Sequence, residues 1–136
     1  MRYDRTVLLR TDFPATVAAV REALADQGFG VLTEIDVPDV LRSKLGPEAP
    51  ADLDGYLILG ACNPRLAMRA LEVDPTVGLL LPCNVVVRTT PDGTLVQALD
   101  PNALVTVTGL DGLRAVAHEA AARLDAALGA LAREHG

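Results

Sequence analysis

The sequence has no tryptophan and only four other aromatic residues, Tyr3, Phe13, Phe29 and Tyr56. It has one lysine, Lys44, and its 12 basic residues are outnumbered by 18 acidic ones, for a formal net charge of −6. A nucleic-acid surface needs clustered Lys and Arg against phosphates and aromatic platforms under bases. Neither is present, so no nucleic-acid partner is expected. Long apolar runs are also missing. The stretches around 56–62 and 77–87 fall short of the roughly 20 residues of a spanning helix, and Pro82 interrupts the second. No membrane partner is expected either. The start, Met1-Arg2-Tyr3-Asp4-Arg5, is charged and lacks a signal-peptide apolar core, so a cytoplasmic location is expected. In that compartment the two cysteines, Cys62 and Cys83, are expected as free thiols. Gly55, Gly60 and Gly78 spell no phosphate loop, so no nucleotide fingerprint is present.

What the chain does have is apolar content: half its 136 residues are hydrophobic, which suits one folded domain over residues 1–136. Arg2 to Arg10 alternates with period two and predicts a strand. Thr11-Asp12-Phe13-Pro14 offers a helix cap and an early proline. Phe13, Val17, Val20 and Leu24 follow at helical spacing, with Gly28 as the stop. A second strand is predicted with Phe29, Val31, Ile35 and Val37 on one side and Glu34 and Asp36 on the other, ending at Pro38. Residues 39–53 are irregular, with one possible helical turn from Val40 to Leu45.

Tyr56-Leu57-Ile58-Leu59 reads as a central strand covered on both faces, and a short helix carries Leu66, Ala67, Ala70 and Leu71 inward. The run from Gly78 to Val87 is expected to pair with Leu95–Leu99 through a Pro91-Asp92-Gly93 turn, with a bulge or edge at Pro82. Ala103 to Thr108 is expected as an edge strand or loop. Thr108-Gly109-Leu110-Asp111 has capping-box spacing before the longest helix, whose buried arc is Leu113, Val116, Ala117, Ala120, Leu124, Ala127, Leu128 and Leu131. The order β-α-β-β-α-β-β-α predicts an α+β two-layer sandwich, a mostly antiparallel sheet with helices on one face. A ferredoxin-like split βαβ is the expected arrangement.

Two Cys-Asn pairs, Cys62-Asn63 and Cys83-Asn84, form the only internal echo. Asn63 and Pro64 suit the cap and first position of a helix. Cys62 then sits beside a helix N-terminus, where negative charge is favoured and a thiolate becomes accessible; its structural alternative is a small buried residue ending a strand. If strands 56–62 and 83–88 are neighbours, the two cysteines can approach each other. Two thiolates suit a soft monovalent ion such as Cu(I), or a four-thiolate site shared across a dimer. His118 and His135 lie on a polar helix face and in the tail, so neither reads as a ligand, and no His stands in a motif with either cysteine to act as its base.

The blocks Tyr56-Leu57-Ile58-Leu59-Gly60-Ala61-Cys62-Asn63-Pro64 and Gly78-Leu79-Leu80-Leu81-Pro82-Cys83-Asn84-Val85-Val86-Val87 resemble the signature of the family called domain of unknown function 302. Gly28–Val37, Lys44-Leu45-Gly46 and Asp100-Pro101 support the resemblance. It implies a compact α+β domain, commonly a homodimer, with no established activity or cofactor. It marks Asp36, Lys44, Cys62, Asn63, Cys83 and Asn84 as the ligand-site positions. The leading expectation is a homodimer that binds a small molecule or soft metal ion near the Cys-Asn pairs, with Cys62 and Cys83 as any metal's donors. The alternatives are a thiol-dependent redox or transferase enzyme using Cys62, and a purely structural signature.

Overall fold

The computed structural model describes residues 2–52 and 54–136; Met1 and Leu53 of the sequence reading lie outside that range. Five strands form one sheet: β1 (Asp4–Leu9), β2 (Gly30–Asp36), β3 (Tyr56–Cys62), β4 (Cys83–Thr90) and β5 (Gly93–Leu99). Their order is β1-β5-β4-β3-β2, and every pairing is antiparallel. The α+β expectation holds. The first β-α-β unit is split as expected: β1 and β2 run parallel at opposite edges of the sheet, with β5, β4 and β3 between them.

Helix α1 (Phe13–Asp26) begins where expected: Asp12 accepts a hydrogen bond from the Ala15 amide at 2.9 Å. Gly28, at φ +83°, ends it. The longest helix, here α5 (Arg114–His135), buries the predicted arc completely. Together α1 and α5 cover one face of the sheet. Leu9, Leu57, Leu59, Val85, Val87, Val96 and Ala98 from the strands meet Val20, Leu24, Leu124, Leu128 and Leu131 there. Helix α3 (Pro64–Val73) and a short α4 (Ala103–Thr108) build a second cluster with α5 around Leu66, Ala70, Val77, Leu104, Leu113 and Val116.

Five local readings are corrected. Ala103–Thr108 is a helix, closed by Gly109 at φ +70°, although its β-branched Val and Thr favour a strand. Burial of Leu104 against the second cluster overrides that propensity. The capping box does not form: Thr108 Oγ1 accepts from the Leu110 amide, and α5 starts only at Arg114. Residues Pro75–Leu80 make a 3-10 turn capped by Asp74, so the strand begins at Cys83, after a cis Leu81–Pro82 bond. In β2, a bulge between Val31 and Thr33 shifts the register, so Ile35 pairs with Ile58 while Glu34 and Asp36 pair with Leu59 and Leu57. The extra residue moves Ile35 to the face opposite Val31. Residues Val37–Leu45 form a full helix, α2, rather than one turn.

Gly60 is fixed by close approach. A Cβ there would lie 2.8 Å from Pro82 Cγ and would collide with Thr33 Oγ1. Gly60→Ala should therefore destabilise the fold by about 1–3 kcal/mol, the usual cost of overpacking. Denaturant melts check this; an unchanged midpoint would show that Pro82 does not pack over the strand.

Candidate functional site

The register of β3 and β4 decides which candidate residues meet. Ala61 pairs with Cys83 and Gly60 with Asn84. Direct partners share a face, so Cys83 joins Ala61 on the helix-covered side. Asn84 then falls on the opposite side, where it is exposed. The two Cys-Asn pairs therefore do not converge as a quartet.

Cys62 and Cys83 are brought to the same end of adjacent strands, and both are free and partly buried. Both line a cavity with Phe29, Leu66, Leu81 and Leu104. Its volume is about 30 Å³. That is room for about one water, and the apolar walls offer a water few partners, so the space excludes a metabolite. Burial pushes the Cys62 thiol above its ordinary range. Burial does the same to Cys83, and the nearby Cys62 charge adds to it. An activated nucleophile needs the opposite shift.

The other nominated residues have structural occupations. Asn63 caps α3, its Oδ1 accepting from the Leu66 amide at 3.2 Å. Asp36 caps α2 by accepting from the Asp39 amide at 3.1 Å. Lys44 is exposed in the last turn of α2, where a cation suits the helix dipole. Asp36 and Lys44 border neither the cysteine cavity nor the groove described next. Among the described residues, no group of three or more His, Cys, Asp and Glu side chains can hold a metal ion.

The sheet's other face carries what the sequence reading missed. Alternation puts Thr6 and Leu8 of β1, Leu95 and Gln97 of β5, Asn84, Val86 and Arg88 of β4, Tyr56 and Ile58 of β3, and Ile35 of β2 on this side. Leu8 and Ile35 are 45% and 44% exposed, so this face lacks the cover that α1 and α5 give the other. A groove crosses it, bordered in one part by Tyr3, Asn84, Val86 and Leu99 and in the next by Asp52, Asp54 and Arg88. Tyr3, Tyr56 and Gln97 are shared by both parts. Each part has a volume of about 520 Å³, within the metabolite range. Only strand register reveals this site; no local motif marks it.

A family model described as domain of unknown function DUF302 matches residues 5–131. The chain belongs to the DUF302 family. A solved relative, described as an uncharacterized conserved DUF302 protein from Bacillus stearothermophilus, is 30% identical over 96% of this chain and 99% of that one, with a TM-score of 0.85. No curated protein matches. The signature blocks of this DUF302 chain thus map to β3 with the start of α3, and to the turn into β4 with that strand's first five residues.

The thiol environment sets a pH dependence. Each thiol ionises at higher pH in the folded chain than in the unfolded one. Between those two values the folded state holds more protons, so stability is fully present below the unfolded thiol range of about 8.5 and falls as pH rises above it. Alkylation of native protein should be slow at neutral pH, with Cys62 and Cys83 both titrating above the free-thiol value. Rapid labelling at pH 7 would contradict this environment.

Proposed function

We propose that this protein is a homodimeric binding module whose copies meet through the open face of the sheet and enclose a small ligand in the groove there. The carrying observation is that face: Val86, Ile58 and Ile35 form a continuous apolar row across β4, β3 and β2, beside a groove of metabolite size. Five strands spaced ~4.8 Å apart, about seven residues long at ~3.3 Å each, offer roughly 1,100 Å² across two copies. That passes the roughly 1,000 Å² expected of a specific interface.

Sedimentation equilibrium should give twice the chain mass. Val86→Glu and Ile58→Lys should shift it to the single-chain mass while circular dichroism stays unchanged, because both side chains are only half-buried. A monomeric wild-type protein at high micromolar concentration would sink the proposal.

A second reading keeps the cysteines as a soft-ion site for Cu(I). Its support is the neighbouring placement of two free thiols on paired strands. It ranks second because the cavity the two thiols share is apolar and, among the described residues, no third His, Cys, Asp or Glu side chain joins them as a donor. A Cu(I) titration against a chromophoric chelator, repeated with Cys62→Ser and Cys83→Ser, tests it: two-thiolate binding requires that either variant lose the ion.

A further inference from the structure

The groove on the open face contains a cation, Arg88, that makes no ion pair among the described residues. Arg2, Arg5, Arg21, Arg42, Arg69, Arg114 and Arg123 each pair with an Asp or Glu. Arg88 pairs with none among the described residues, although it is half-buried and the chain carries an acidic excess. A guanidinium drawn partly out of water needs acceptors for its N–H groups. Arg88 instead donates from Nε to Gln97 Oε1 at 3.1 Å. Gln97 is tied in turn to Thr6 Oγ1 at 3.4 Å, and Thr6 donates to Asp4 at 2.6 Å. This chain of bonds across β4, β5 and β1 fixes the Nε side of the guanidinium and leaves its two Nη groups for another acceptor. Two parallel N–H groups on a planar fork match a carboxylate.

The surroundings narrow the class. Tyr56 is the direct cross-strand partner of Arg88, and Tyr3, 70% exposed, borders both parts of the groove. These are the only tyrosines in the chain. Their rings offer flat faces to a planar ligand. Asp4, Asp52 and Asp54 also border the groove. Arg2 engages Asp4 and Arg42 engages Asp54, while Asp52 makes no ion pair among the described residues; with Arg88 the one groove cation left unpaired, a ligand with two negative charges is disfavoured.

We infer that the groove binds a small aryl monocarboxylate, with its carboxylate on the Arg88 fork and its ring between Tyr3 and Tyr56. This rests on the open face being the binding surface, and it adds the ligand's charge and shape.

Titration calorimetry of the 136-residue chain with benzoate, benzamide and inorganic phosphate tests it, with the native mass measured on the same sample. Benzoate should bind saturably, and benzamide, which keeps the ring without the charge, about tenfold or more weaker, as expected for loss of a charge-assisted pair. Phosphate should give no saturable heat. Arg88→Lys, which keeps the charge and loses the fork, should weaken benzoate about tenfold. Arg88→Gln should abolish the preference for benzoate over benzamide. Equal binding of benzoate and benzamide would overturn the carboxylate assignment while leaving the groove intact. Saturable phosphate binding would overturn the monoanion assignment. A dimer that binds neither ring compound would overturn the inference and spare the dimer, whereas a monomer that binds neither would remove both.

Discussion

The antiparallel pairing of β3 with β4, which sets Ala61 opposite Cys83 and Gly60 opposite Asn84, decides which side chains can act together. Because side chains alternate, a single residue of register separates the helix-covered face from the open one. Pro82, packed where only Gly60 leaves space, sits beside that register at the point where β4 begins. Cys83 is thereby turned toward the apolar cavity under α3 and α4, and Asn84 toward the groove.

The two faces are then physically different. The covered face is a dry core in which Leu59 and Val87 are fully buried and the cysteines are held neutral. The open face mixes half-buried Val86 and Ile58 with the hydrogen-bonded run from Arg88 through Gln97 to Thr6. A sheet with one face covered has two outcomes for the other: polar throughout and solvated, or apolar enough to take a partner. The row Val86, Ile58 and Ile35 gives this face an apolar stripe beside its polar groups, and the β2 bulge is what adds Ile35 to it.

Much of this was legible in the sequence because it is local. Period-two and helical patterns marked β1, α1, α3 and the buried arc of α5, a continuous apolar run marked β3, and the Pro91-Asp92-Gly93 turn marked the hairpin. Caps at Asp12 and Asn63 were readable as short-range hydrogen bonding. The missed features depend on distant contacts. Ala103–Thr108 is helical with Leu104 buried in one cluster with Leu66 and Val116, which no local propensity records. The bulge reversed the expected facing of Ile35 and Glu34, and Glu34 instead pairs with Arg21 of α1. At the site, the Cys-Asn echo drew notice to Cys62 and Cys83, and the structure does place them on neighbouring strands. Asn63 and Asp36 proved to be caps, while Tyr3, Tyr56, Arg88 and Gln97 become neighbours only through the strand order.

The central claim is that the open face of the sheet is covered by a second copy of the chain. Isotope-filtered NMR on a mixture of labelled and unlabelled protein tests it most directly, through methyl contacts that cross between molecules. The account predicts intermolecular contacts from the Ile58 and Val86 methyls; their absence, with such contacts arising instead from Leu79 or Met68 near α3, would contradict it.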